Sequence, residues 1–133
     1  MDRHNVTLSV RTGAHNELKD ITTRIQLEID NSGVKDGMCL VYIPHTTAAV
    51  TINENADPSV KSDILMALEK IVPDSLPYRH AEGNSPGHVK ASLMGSSVTV
   101  PVSNGRLVLG TWQGIFLAEF DGPRSRSVYL YIW

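Results

Sequence analysis

The sequence predicts an α+β fold with a mostly antiparallel sheet. Apolar and polar residues alternate near both ends of the chain, which is typical of half-buried strands. In the middle, apolar residues recur every three or four positions, which is typical of amphipathic helices. The pair Asn104-Gly105 separates two alternating segments and is a strong hairpin signal. The length of 133 residues predicts a single domain over 1–133.

The first third reads as a strand, a helix and two more strands. Residues 6–10 alternate and predict the first strand. Asn16 is expected to cap a helix that runs to about Ile29 and ends before Gly33. Residues 38–43 and 48–53 predict two strands, with a bend or bulge at Pro44-His45.

Two helices and a long loop follow. Asp57-Pro58 combines a capping carboxylate with proline at the first helical position, and Pro73 ends that helix. The loop over 73–87 is long for a compact domain, which is typical of functional or mobile segments. Ser85-Pro86 begins a short helix that Gly95 closes.

The last third predicts four strands, at 98–102, 107–109, 113–120 and 127–133. Asp121-Gly122-Pro123 predicts the turn before the final strand. That strand is apolar on both faces, so it is either buried on both sides within one domain or part of a subunit interface.

Composition and charge exclude several classes of protein. The net charge of −2 gives no global basic field, which argues against binding to nucleic acid through phosphate neutralisation. The single cysteine, Cys39, cannot form an intrachain disulfide and is expected to be an inert buried thiol. The sequence has neither an apolar leader nor a run of ~18 apolar residues, so we expect no membrane contact and a cytoplasmic protein.

Three of the five histidines are candidates for a site. His45 follows a proline between two strands, His80 lies in the long loop, and His88 begins the short helix. Three imidazoles suit a zinc-like ion and leave one position open. The spacing matches neither HExxH nor CxxC, so surface or hydrogen-bonded histidines are the alternative.

A polar cluster, Asn53-Glu54-Asn55-Ala56-Asp57, links the strand predicted at 48–53 to the next helix. Asp57 has a structural explanation as a helix cap, and Asn55 could stabilise the turn. Glu54 has no such explanation, which favours a functional role.

Two acids and two arginines flank the last turn. Glu119, Asp121, Arg124 and Arg126 most often form cross-strand ion pairs in such a pattern. The functional alternative is that the arginines bind a phosphate or carboxylate through the planar guanidinium.

Several segments resemble the YjbQ family, in an order that spans nearly the whole chain. They are Pro44-His45-Thr46-Thr47-Ala48, Asn53-Glu54-Asn55-Ala56-Asp57-Pro58, Tyr78-Arg79-His80, Gly87-His88-Val89-Lys90-Ala91-Ser92-Leu93-Met94-Gly95, Gly105-Arg106-Leu107-Val108-Leu109-Gly110-Thr111-Trp112-Gln113 and Asp121-Gly122-Pro123-Arg124-Ser125-Arg126.

The resemblance implies about seven strands in two packed sheets, about three helices and a homotrimer. It also implies a site near a subunit boundary. Carried over, the catalytic candidates are His45, Glu54, Asp57 and Gln113. Candidates for binding a small anionic or phosphorylated substrate are Thr46, Asn53, Asn55, Arg124 and Arg126. The metal candidates are His45, His80 and His88, with a zinc-like ion favoured and Mg²⁺ as the alternative.

The resemblance further implies a weak thiamine-phosphate synthase activity, a transferase reaction that joins a pyrimidine diphosphate to a thiazole phosphate and releases pyrophosphate. The chain has no carboxylate-rich Mg²⁺ motif, so this activity could be a side reaction. Two alternatives stay open. One is a metal-dependent hydrolase or lyase acting on a small anionic substrate, and the other is a non-enzymatic trimeric ligand-binding protein.

Overall fold

The computed structural model describes residues 4–133, so the first three residues of the predicted domain lie outside it. The elements follow in the order β1 (His4–Arg11), β2 (Glu17–Asp20), α1 (Thr22–Ser32), β3 (Gly37–Tyr42), β4 (Ala48–Glu54), α2 (Pro58–Ile71), α3 (Ser85–Met94), β5 (Ser97–Ser103), β6 (Arg106–Leu107), β7 (Gln113–Glu119) and β8 (Ser125–Ile132).

The strands form two antiparallel sheets. The larger sheet has the order β1-β8-β3-β5-β6, and the smaller has the order β2-β7-β4. This confirms the predicted α+β class, with two sheets and three helices. The strands number eight rather than about seven, because the short strand β2 was not predicted.

The predicted start of the first helix is wrong. Asn16 does not cap a helix, because the residues after it form β2, where Leu18 pairs with Ala118 of β7. Helix α1 begins at Thr22, and the Asp20 carboxylate accepts the Thr22 amide at 2.9 Å. Pairing with a central strand therefore outweighed the helical spacing of the apolar residues.

The bend at Pro44 moves the chain from one sheet to the other. Strand β3 lies in the larger sheet and β4 in the smaller one, so residues 43–47 bridge the two layers. The connection is held at both ends, since Ile43 N–H donates to Ser96 O at 2.8 Å and Phe120 N–H donates to Thr47 O at 3.1 Å. These bonds place His45 at the seam between the two sheets.

Two apolar clusters hold the layers together. The first fills the space between the sheets and includes Ile25 and Ile29 of α1. The second covers the other face of the smaller sheet, where Phe116 and Phe120 meet α2 and α3. None of the residues of α2 is fully buried, so this helix rests on the second cluster along one side only.

The outer face of the larger sheet carries aromatic side chains. In β8, Val128, Leu130 and Ile132 are fully buried in the first cluster. On the opposite face, Tyr129 and Tyr131 are each 37% exposed. Among residues 4–133, no helix combines the length and apolar character needed to span a membrane.

Candidate functional site

Three histidines line one cleft of about 450 Å³, which we call the histidine cleft. The cleft lies where the β3–β4 connection, the long loop before α3 and the β7–β8 turn meet. Its lining consists of Pro44, His45, Thr46, Thr47, His80, Glu82, Asn84, His88, Asp121, Arg124 and Arg126.

Close backbone packing places His88. The preceding Gly87 lies against β7, and a Cβ atom there would be 2.8 Å from the Phe120 carbonyl oxygen. Only glycine fits this approach without a shift of the backbone. The first turn of α3 is therefore fixed against the end of β7, with His88 facing the cleft.

His80 and His88 form a pair. Their ring centroids are 5.3 Å apart in an edge-to-face arrangement. Nε2 of His80 is 4.0 Å from a Glu82 carboxylate oxygen. This places a carboxylate beside the imidazole of His80.

His45 is held differently. Its Nε2 accepts a 2.9 Å hydrogen bond from the backbone N–H of Ser127. Burial, followed by the charge of Arg126, lowers the pKa of His45. The ring is therefore neutral, and Nδ1 carries its proton.

Arg126 is the centre of a buried ion pair with Glu119. The Arg126 side chain is 4% exposed and that of Glu119 is 0% exposed. Nε of Arg126 donates to Glu119 at 2.9 Å, and its Nη2 donates to the Thr47 hydroxyl at 2.9 Å. Burial alone would raise the pKa of Glu119, but hydrogen bonds from Arg126, the Asp121 amide and Thr12 outweigh it and lower the pKa.

The second ion pair, between Arg124 and Asp121, is more exposed and lies in the β7–β8 turn, which Asn84 ties to the long loop. Asp121 Oδ2 accepts from Arg124 at 2.8 Å and from the Asn84 amide at 2.9 Å. Burial alone would raise the pKa of Asp121, but these two partners outweigh it and lower the pKa. The predicted ion pairing of these four residues is therefore confirmed, with Arg126 bound to Glu119 and Arg124 bound to Asp121. Neither is a cross-strand pair of one sheet, because β7 and β8 lie in different sheets and Asp121 and Arg124 lie in the turn between them.

The acid and amide cluster lies elsewhere. Glu54 and Gln113 are paired at the far end of β4 from His45. Seven strand residues separate the two ends, which at about 3.3 Å per residue is on the order of 20 Å. Within one chain, the structure therefore does not bring Asn53, Glu54, Asn55, Asp57 and Gln113 to the histidines.

Local bonds account for most of this second cluster. Asp57 accepts the Ser59 amide at 2.9 Å and caps α2, as predicted. The side chain of Asn53 accepts the Glu54 amide at 2.8 Å, and that of Gln113 accepts the Gly110 amide at 2.8 Å. These bonds show structural roles, and the catalytic and binding roles expected here stay predictions.

The donors of the histidine cleft do not fit a three-histidine metal site in one chain. Nε2 of His45 is engaged by Ser127, and Nδ1 carries the proton. Over residues 4–133, no three His, Cys, Asp or Glu side chains are grouped so that they could hold a metal ion. A divalent cofactor stays a prediction.

Sequence reasoning did not single out Asn84, which lines the cleft, or Glu119, which binds the cleft residue Arg126, as functional. Asn84 ties the loop to Asp121, although the loop itself was recognised from its length. In the sequence Glu119 is one of four charges at a turn, but in the structure its complete burial makes it the anchor of Arg126. The spacing of the charges predicts the ion pairs, whereas no sequence pattern predicts that Glu119 is buried.

Comparison with known proteins agrees with the fold. The profile of the YjbQ family, described as UPF0047 protein YjbQ-like, matches residues 6–133. UPF0047 protein MJ1081 of Methanocaldococcus jannaschii is 53% identical over 92% of this chain and 89% of its own length. UPF0047 protein YugU of Bacillus subtilis is 48% identical over 93% of this chain and 95% of its own.

Solved structures are similar over nearly the full length. An uncharacterized conserved YjbQ/UPF0047 protein from Clostridium acetobutylicum has 52% identity and a TM-score of 0.94, covering 96% of this chain and 99% of its own. A YbjQ-like protein of unknown function from Sulfolobus solfataricus has 35% identity and a TM-score of 0.94, covering 98% and 96%. The chain therefore belongs to the YjbQ (UPF0047) family.

Proposed function

We propose that this protein is an enzyme that binds the anionic group of a small phosphorylated substrate in the histidine cleft. The observation that carries the proposal is the meeting of three imidazoles and two guanidinium groups around one volume of about 450 Å³. That volume falls within the ~300–1,000 Å³ typical of small-molecule sites.

Both arginines keep donors for an anion. Arg124 uses Nε and Nη2 on Asp121, and Arg126 uses Nε and Nη2 on Glu119 and Thr47. Among residues 4–133, neither Nη1 has a hydrogen-bond acceptor. The ion pairs hold the guanidinium planes in place, which reduces the entropy lost on binding.

The histidines divide into two kinds. Neutral His45 supplies one N–H donor at Nδ1, since its Nε2 is occupied by Ser127. The rings of His80 and His88 carry no such backbone bond within residues 4–133, and imidazole is the side chain that most often acts as general acid or base. A proton from this pair would stabilise a leaving oxyanion, which is the requirement of a transfer reaction.

Among transfer reactions, the resemblance to the YjbQ family favours thiamine-phosphate synthesis. In that reaction a carbon–nitrogen bond forms between the two heterocycles while a carbon–oxygen bond breaks and pyrophosphate leaves. The cleft would bind the diphosphate, and the lone cysteine Cys39, free and buried, is consistent with action in the cytoplasm.

The experiment is calorimetric titration of inorganic phosphate and pyrophosphate, with EDTA and then with added Zn²⁺ or Mg²⁺. Arg124→Ala and His88→Ala should weaken binding by about tenfold each, the usual effect of losing a charged hydrogen bond. Arg24→Ala, an exposed arginine on α1, is the matched control. Absent binding, or equal binding by all variants, contradicts the proposal.

Turnover assays then identify the reaction. Pyrophosphate release that requires both thiamine precursors supports the transferase. Phosphate release from simple monoesters supports the hydrolase alternative instead. Binding without any product supports the ligand-binding protein.

We also propose a homotrimer formed through the outer face of the larger sheet. Tyr42, Tyr129 and Tyr131 lie exposed on neighbouring strands of that face. Exposed aromatic groups of this kind are typical of interfaces. Light scattering should give three times the chain mass, and Tyr131→Glu should lower it. A monomeric parent protein contradicts this proposal.

A further inference from the structure

A second cleft adjoins the first. It encloses about 370 Å³ and lies between the start of β4 and the end of α3. We call it the serine cleft, because Ser92 and Ser96 line it together with Ala48, Ala91 and Gly95.

The two clefts meet at the same side chains. His45, Thr46 and His88 line both of them. A molecule that reaches from one cleft into the other must therefore pass these residues.

The two linings differ in chemistry. The histidine cleft carries two arginines and two carboxylates. Apart from the shared histidines, the described lining of the serine cleft has no titratable side chain. Its alanines and glycine are small and leave space for a ligand, and its hydroxyl groups can form hydrogen bonds with uncharged groups.

The hydroxyl groups of Ser92 and Ser96 can form further hydrogen bonds with a ligand. The Ser92 hydroxyl donates to the His88 carbonyl at 2.9 Å, which leaves its oxygen able to accept. Ser96 is exposed, and its backbone carbonyl is used by Ile43 N–H while no side-chain partner occurs within residues 4–133. Such a surface suits an uncharged group rather than a second phosphate.

We infer that the serine cleft binds the uncharged half of a substrate whose phosphate occupies the histidine cleft. The substrate class is then a phosphate ester of a neutral ring or alcohol, with its bridging oxygen next to His45 and His88. This inference rests on the proposed function, since it takes the phosphate position from it.

The test uses two probes of equal charge. Methylphosphonate and benzylphosphonate differ in the ring alone, and their carbon–phosphorus bond resists hydrolysis. We expect benzylphosphonate to bind about tenfold more tightly, because its ring leaves water. Calorimetry with the full chain measures both dissociation constants.

Ser96→Phe should fill the serine cleft. It should remove the tenfold preference and leave the methylphosphonate dissociation constant within about twofold, since that probe needs only the polar contacts of the other cleft. Ser96→Ala is the control and should keep the preference. Ser92→Phe fills the cleft from α3 and serves if Ser96→Phe does not fold.

The outcomes separate the two ideas. Equal affinity for both probes, or a preference that survives both phenylalanine variants, overturns the serine cleft as a subsite while the proposed function stands. If neither probe nor inorganic phosphate binds, the proposed function fails and this inference fails with it.

Discussion

The backbone N–H of Ser127 donates a 2.9 Å hydrogen bond to Nε2 of His45. An amide can only donate, so this nitrogen must be unprotonated. The bond ties the connection between the two sheets to β8, and it turns a candidate base or metal ligand into a neutral hydrogen-bond donor. The orientation of one ring therefore decides which roles His45 can take.

His45 should make stability depend on pH. Burial and Arg126 lower the pKa of His45 in the folded chain, while the unfolded group titrates near 6.5. Below that pH the unfolded state binds more protons, so stability falls as the pH drops from 6.5 toward the lowered value. Urea unfolding at several pH values should show this loss.

The control is His45→Gln, which keeps an acceptor for Ser127 but does not titrate. Its stability should change less over the same range. Glu119 and Asp121 also have lowered pKa values, but their contribution is lost at more acidic pH, below the ordinary carboxyl values of about 4. Identical profiles for the parent and the variant above pH 5 would count against this assignment.

The two ion pairs of the last turn should differ in energetic weight. Arg126→Ala leaves Glu119 charged and fully buried, which should cost about 3–5 kcal/mol. Arg124→Ala removes a pair whose arginine is 52% exposed, which should cost about 1 kcal/mol or less. The urea unfolding midpoints of the two variants measure both losses of stability. Losses of similar size would contradict the predicted difference in energetic weight.

Gly87→Ala should disturb the cleft through the backbone. The new Cβ atom would lie 2.8 Å from the Phe120 carbonyl oxygen, so α3 must shift. We expect a stability loss of about 1–3 kcal/mol and weaker phosphate binding, because His88 moves with the helix. Gly13→Ala is the control, since its Cβ would meet nothing within 4 Å. Phosphate affinity equal to that of the parent would contradict this account of Gly87.

Cys39 should be unreactive in the folded protein. Burial raises the pKa of its thiol to about 12, so almost no thiolate exists at neutral pH. A chromogenic disulfide reagent should therefore react slowly with the native chain and rapidly in urea. Fast labelling of the native protein would show that β3 is more accessible than its packing indicates.

Sequence reasoning predicted the elements whose ends have local causes. Asp57-Pro58 begins α2, and the pair Asn104-Gly105, with positive φ at both residues, joins β5 to β6 as expected. The prediction of a helix from Asn16 was wrong for residues 17–20, because Leu18 pairs with Ala118, a residue a hundred positions away. No local pattern distinguishes that strand from the first turn of a helix.

The candidate site also has features that the sequence predicts and features that only the structure determines. The residue types, the long loop and the charges at the last turn were all visible in the sequence, and its motifs were sufficient for the family. The cleft itself required the structure, because His45, His80 and His88 meet only where two sheets and a loop converge. The structure also separated Glu54 from the histidines, because β4 runs between them. Only tertiary structure decides such distances, since burial and contact depend on chain segments that are remote in sequence.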